Sequence, residues 1–264
     1  MADKQKTSLR HSLRTLLRLC GVMFVMVSHF FLFLLSRAVA SKSRVLPVSL
    51  LWTQRWARWC VRAAGYTVTV KGPLPKGNCL LAPNHVGYGD IIVLASVAPC
   101  FFVAKSEVAG WPLIGWVMAK GNHLFVDRRK AKAMRQTAKR VQARLGDGYP
   151  VCVFLEGTSS GGGTVLPFRP SLLQPAIDVQ APVVPVALLW EGAGIDIAED
   201  VAYWKDHHFA THIWRHLGLS ELQVTVSFGE PILPAGRTRK ELAETVRDEV
   251  VRLLASQYMP ASGR

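Results

Sequence analysis

Between Arg18 and Arg37 the chain runs for eighteen residues, Leu19 to Ser36, without a formal charge. Such a stretch must be buried in protein or lipid. As a helix it spans about 27 Å, just short of a hydrocarbon core of about 30 Å. Ser28 and His29 sit in its middle, with Arg14 and Arg18 before it and Arg37, Lys42 and Arg44 after. The next segment, Val45 to Ala64, sets Leu50, Leu51, Trp52, Trp56, Trp59 and Cys60 among Arg55, Arg58 and Arg62. That is the pattern of an amphipathic helix whose tryptophans suit a headgroup layer. Cations on both sides of the first helix disfavour crossing, so a helical hairpin dipping into one leaflet is favoured over a single span. Ala38-Val39-Ala40 has the form of a signal cleavage site. The apolar run is long for a signal peptide, however, and Arg37 separates it from that site, so a retained anchor is expected.

Charge supports the same division. Residues 1–71 carry 12 Lys/Arg against the single acid Asp3, and the remainder carries 20 against 17, so the net charge of +14 belongs to the N-terminal end. Basic residues beside an apolar helix attract anionic lipid, at about 1 kcal/mol each near the surface. Nucleic acid as the partner is excluded on pattern: it would call for a basic stripe on a folded face with interleaved stacking aromatics. The five cysteines, Cys20, Cys60, Cys79, Cys100 and Cys152, are scattered and lack metal-ligand spacing. They read as reduced core residues, with neither a disulfide framework nor a zinc site.

From Tyr66 onward, short apolar runs at 66–71, 79–83, 101–104, 123–127, 151–155, 183–190 and 222–228 alternate with helical patterns at 88–97, 111–120, 130–145, 170–180, 204–217 and 238–257. The alternation predicts an α/β domain with a largely parallel sheet flanked by helices. The chain therefore divides into a membrane-anchoring helical hairpin with basic flanks at 1–65 and an α/β domain at 66–264.

Within that domain, Asn84-His85-Val86-Gly87-Tyr88-Gly89-Asp90 takes a His out of an apolar strand, through a turn with two glycines, to an Asp where a helix begins. The turn can fold Asp90 back onto the His85 ring. A carboxylate on one ring nitrogen fixes the tautomer and raises the basicity of the other, which makes a general base for a hydroxyl. Alone, such a pair is equally a capped helix with a buried His. Two further stretches accompany it: one closes a strand on Asp127-Arg128-Arg129, the other runs a strand into Glu156-Gly157-Thr158. Val183-Val184-Pro185-Val186-Ala187 adds a further core strand. Neither a GxSxG elbow nor a cysteine paired with a His in sequence offers an enzyme nucleophile. His208, His212 and His216 recur at helical spacing, but without HExxH or a cysteine pair they read as a solvated or interfacial face rather than a metal site. The run Gly161–Gly163 reads as a mobile loop.

Four blocks in this order resemble the phospholipid/glycerol acyltransferase family, which includes the 1-acyl-glycerol-3-phosphate acyltransferases; the wording EGTSS and VLPFRPSLL is similar to the lyso-ornithine lipid acyltransferase subgroup of bacteria. The resemblance covers about residues 75–235. It implies transfer of a fatty acyl group from acyl-CoA or acyl carrier protein to the hydroxyl of a lysolipid. The acceptor would be 1-acyl-glycerol-3-phosphate (lysophosphatidic acid) or, alternatively, lyso-ornithine lipid, and no metal or resident cofactor would be needed. It further implies His85 as base and Asp90 as its orienting group. Glu156, Gly157 and Thr158 would shape the acceptor site, and Arg128 would pair an acidic headgroup. The expected place is the cytoplasmic face of a bacterial inner membrane. Two positions depart from the family's FPEGTR wording: Leu155 replaces the Pro and Ser159 the Arg. Lys105 or Arg169 could supply the missing cation. A non-catalytic lipid-binding protein on the same scaffold is the rival from another class.

Overall fold

The computed structural model describes residues 2–111 and 114–258. All seven apolar runs enter one sheet: β1 (Tyr66–Lys71), β2 (Leu80–Pro83), β3 (Phe101–Lys105), β4 (Leu124–Val126), β5 (Val151–Cys152), β6 (Val183–Glu191) and β7 (Leu222–Phe228). Their order is β1-β7-β6-β2-β5-β3-β4. Every neighbouring pair is parallel except β6–β7, so β1 and β7 run against the other five. The central strands read as continuous apolar runs because both faces of the sheet are covered there. β2 is buried at every position and β6 at all but its last.

Around the sheet lie α1 (Ala2–Ala38), α2 (Val45–Ala64), α3 (Tyr88–Val97), α4 (Ile114–Lys120), α5 (Ala131–Gly146), α6 (Gln174–Asp178), α7 (Phe209–Leu217) and α8 (Arg239–Tyr258). Successive β2 side chains point to opposite faces. Leu81 joins a core with Ala57 and Val61 of α2, Leu94 of α3 and Leu217 of α7. Leu80 and Ala82 join the other core, with Val141 of α5 and Leu242 and Val246 of α8.

The first helix is longer than the uncharged stretch that announces it, and its segment from Leu9 to Ala38 is apolar and long enough to cross a membrane. Arg14 and Arg18, expected to face headgroups, are instead turned inward. Arg14 donates to Gly218 O at 2.9 Å, and Arg18 to the carbonyls of Leu217 and Leu219 at 3.1 and 2.6 Å. These are carbonyls at the C-terminal end of α7, where no helical N–H remains to meet them and a cation is favoured. Further along the same helix, Phe24, Phe31 and Leu35 stay exposed. α2 turns at Gly65, whose φ of 73° and tight approach to the Arg18 guanidinium both demand glycine.

Several elements are shorter than the sequence pattern. β5 ends at Cys152; Val153 N still reaches Leu81 O at 3.0 Å, and the chain then enters the turn in which Gly157 N bonds Phe154 O. The 170–180 helix breaks into a 3-10 turn, Pro170–Leu172, and α6, since Pro170 and Pro175 each lack an N–H donor. The 204–217 helix shrinks to α7; Lys205, with φ 52°, interrupts its first turn. In the expected 111–120 helix, Pro112 and Leu113 lie outside the described residues, as do residues 259–264 of the domain.

Candidate active site

The site begins where β2 ends. Asn84, buried, continues the ladder with its side chain: Nδ2 donates to Leu188 O at 3.1 Å and Leu188 N donates to Oδ1 at 2.7 Å. This contact with β6 fixes the point at which the chain leaves the sheet, and His85 is the next residue.

His85 Nδ1 donates to Asp90 Oδ2 at 2.8 Å. Asp90 is the third residue of α3 and is fully buried. Its Oδ2 also accepts from the backbone N–H groups of Val86 and Gly87, at 2.6 and 2.8 Å. A carboxylate at this position satisfies donors left open at the helix start and sits favourably in the helix dipole. The turn between the two residues is therefore the capped helix of the bland reading and the His–carboxylate pair of the functional one at once. With Nδ1 engaged, Nε2 is the ring nitrogen without a protein partner among the described residues. The ring stacks on Phe154 at a centroid distance of 4.0 Å, and the side chain keeps 19% exposure. A neutral imidazole held this way presents an unprotonated, accessible Nε2.

Glu156, expected to shape the acceptor site, holds the backbone at His85 and at Leu166. It is buried, and its two oxygens accept from His85 N at 2.7 Å and Leu166 N at 2.9 Å. Burial pushes its carboxyl up to about 7, against the pull of those two N–H donors. The His85 carbonyl is held in turn by Ser160 N at 2.8 Å. Both backbone polar groups of His85 are thus fastened to the loop that follows β5.

One residue on, Gly157 has φ 80°. A Cβ there would come within 2.8 Å of Arg169 Nε and 3.1 Å of Arg128 Nη1. Arg128 donates to the Gly157 carbonyl. Lys105, at the end of β3, feels both arginines. Burial and then the Arg128 charge lower its pKa, while burial and then Arg169 lower that of Arg128. Among the described residues none of these three cations stands in an ion pair; the nearby acids Glu107 and Asp127 are taken by Arg129 and Lys130. The predicted residues Lys105, Arg128, Gly157 and Arg169 therefore lie together as a cationic cluster, joined to His85 through the single peptide step from Glu156 to Gly157. Thr158 is exposed and makes no side-chain hydrogen bond among the described residues.

Ser159 is tied away from this cluster, donating to Tyr203 O. The glycine run that follows is packed rather than free. A Cβ at Gly161 would meet the Trp204 ring at 2.6 Å, and one at Gly162 would meet Ile197 at 2.8 Å. His212 and His216, expected on a solvated or interfacial face, are buried within the protein. Tyr88 Oη lies 2.9 Å from His212 Nδ1 and Tyr66 Oη 2.6 Å from His216 Nε2, so both rings serve internal packing. Burial depresses the His216 pKa to about 4 and keeps the ring neutral. The buried thiols of Cys79, Cys100 and Cys152 are free; burial pushes the Cys79 thiol up to about 12. A thiol so far from ionisation is no nucleophile.

The chain is similar to known proteins in sequence and in fold. Residues 65–189 match the acyltransferase family. The chain is 32% identical to a lyso-ornithine lipid O-acyltransferase of Pseudomonas aeruginosa, across 83% of this chain and 84% of that protein. It is 31% identical to a 1-acyl-sn-glycerol-3-phosphate acyltransferase of Neisseria meningitidis, across 62% of this chain and 64% of that one. Among solved structures, the 1-acyl-sn-glycerophosphate acyltransferase of Thermotoga maritima shares the fold, with a TM-score of 0.75 at 21% identity, across 97% of this chain and 100% of that one.

Proposed function

Because the chain belongs to the acyltransferase family, we propose that it moves a fatty acyl group from a thioester donor to the free hydroxyl of a lysolipid, with His85 as general base. One observation carries this reading: the 2.8 Å contact between His85 Nδ1 and a buried Asp90, which leaves Nε2 to accept a proton. Nε2 takes the acceptor's hydroxyl proton as its oxygen forms the ester bond to the thioester carbonyl carbon. The carbon–sulfur bond breaks, and the imidazolium returns its proton to the departing thiolate. Asp90 holds the ring and offsets the charge that it gains. The thioester of acyl-CoA or acyl carrier protein arrives activated, so the reaction takes neither an enzyme nucleophile nor a resident cofactor.

The cationic cluster of Lys105, Arg128 and Arg169 is suited to an acidic headgroup. Of the two acceptors named by the relatives, lyso-ornithine lipid is favoured. Its enzymes match over most of the chain, and Ser159 leaves out a cation that a phosphate monoester would use. The three cations are the feature that keeps lysophosphatidic acid as the second reading. The hairpin of residues 1–65 would sit in one leaflet at the cytoplasmic face of a bacterial inner membrane, with Phe24, Phe31 and Leu35 in lipid and residues 66–264 on the surface.

The deciding experiment is transfer of labelled acyl groups by the purified protein onto a panel of both lysolipids. An ester product on lyso-ornithine lipid supports the reading. Release of free fatty acid alone would make the protein a hydrolase, and lipid binding without turnover would make it a binder.

A further inference from the structure

Asp90 is fully buried, and only its Oδ2 is served by the turn that carries it. The other oxygen, Oδ1, accepts from the indole Nε1–H of Trp190 at 2.7 Å. Trp190 comes from the eighth position of β6, two residues beyond the Leu188 that locks Asn84. Its side chain is 3% exposed and packed on three sides. Tyr66 meets it edge to face at 5.3 Å, His216 lies at 6.3 Å, and Gly89 abuts it so closely that a Cβ there would stand 3.0 Å from the ring. Tyr66 and His216 are themselves joined at 2.6 Å. The indole thus has one orientation, and in that orientation its only polar atom meets the carboxylate.

We infer that Trp190 is a positioning residue for the transfer reaction, holding Asp90 Oδ1 so that Oδ2 stays aligned with His85; the inference rests on His85 being the base. A buried carboxylate that lost this donor would keep an unsatisfied oxygen. Still held at Oδ2 by the turn, it would become more basic. A more basic carboxylate stabilises the protonated imidazole more strongly, whereas a ring merely loosened in its pocket would lose that stabilisation. The two effects move the acidic limb of a pH–rate profile in opposite directions, and this separates positioning from packing.

The test compares wild type with Trp190→Phe and with protein carrying 3-benzothienylalanine at position 190, in which sulfur replaces the N–H within the same bicyclic outline. If the phenylalanine variant does not fold, the benzothienyl variant carries the test. Expected are a kcat lower by about tenfold or more, a KM for lysolipid within about twofold of wild type, and an acidic limb of kcat/KM moved to higher pH. Tyr66→Phe, which removes the hydroxyl facing His216 but leaves the indole N–H, should keep the wild-type limb. Wild-type kcat and pH profile in the benzothienyl variant would overturn the inference, as would the same upward limb in Tyr66→Phe. Persistent turnover in His85→Ala would instead overturn the base assignment, so the two failures are distinguishable.

Discussion

At the His85 end of the site the polar groups are paired within the protein, save the one nitrogen left for substrate; at the Arg128 end three cations gather with no ion pair among the described residues. The first end is closed and preorganised. Asp90 takes four donors, Glu156 takes two, and both backbone groups of His85 are fastened. The second end is electrostatically incomplete: burial, and after it mutual repulsion, lowers the pKa values of Lys105 and Arg128. Chemistry needs fixed geometry, whereas recognition of a charged headgroup draws on charge that the protein has not already neutralised. The contrast assigns rate to one end and acceptor choice to the other.

The sharpest way to break that division is at the closed end. His85→Ala is expected to lower kcat by about 10³-fold or more and Asp90→Asn by about 10²-fold, each with lysolipid KM within a few-fold and the thermal midpoint retained. Turnover near wild type in a folded His85→Ala protein would remove the rate-setting role. At the open end, Arg169→Gln should act the other way, raising lysolipid KM by about tenfold while kcat changes by less than about threefold. A loss confined to kcat would place Arg169 with the chemistry instead. Ser159→Arg adds a cation to this end and releases the Tyr203 carbonyl. It is expected to move the ratio of kcat/KM values towards lysophosphatidic acid by about tenfold, or about 1.4 kcal/mol. A strong native preference for lysophosphatidic acid, unchanged by the substitution, would put the phosphate elsewhere.

The smallest effect concerns Glu156. Its carboxyl, pushed from 4.5 to about 7 in the folded protein, stays protonated at pH values where the unfolded chain has already lost the proton. Its contribution to stability is therefore full below about pH 4.5 and is lost as pH rises through about 7. Glu156→Gln has no such titration. Subtracting its thermal midpoints from those of wild type across pH 4.5–7.5 should leave a difference that declines with pH; a flat difference would mean that folding does not shift the Glu156 carboxyl.

The closed end was legible in the sequence only in part. The spacing from His85 to Asp90 could be read because it is local: strand end, glycine turn and third residue of a helix are set by neighbouring residues alone. Asn84 and Trp190 escaped because their roles depend on β6 lying beside β2, and nothing in either segment says which strand is its neighbour. The motif around Glu156 could be read, but not its two backbone donors, since they come from His85 and Leu166, one distant and one across a loop. At the open end, only the folded chain brings Arg128 and Arg169 against one glycine, with Lys105 within reach of their charge. His212 and His216 misled because helical spacing reports which residues share a face, and whether that face is wet depends on Tyr66 and Tyr88. The seven strands survived with shifted ends because buried apolar runs are the strongest signal a sheet leaves.

The antiparallel join of β6 to β7 also bears on how the chain assembles. Tyr66 finds its strand partner in Leu222, so the first strand of the domain has no neighbour until nearly all of the chain has been made. α1 and α2, adjacent in sequence, can pair as soon as they leave the ribosome, yet β1 waits as an unpaired edge through most of synthesis. Pairings of such long range are slow to form, and an unpaired edge invites contact with other chains. The polar ties from Arg14 and Arg18 to the end of α7 close at the same late stage. A chain cut before residue 222 would therefore keep the His85–Asp90 turn in its sequence and still leave β1, next to α2, without a sheet to join.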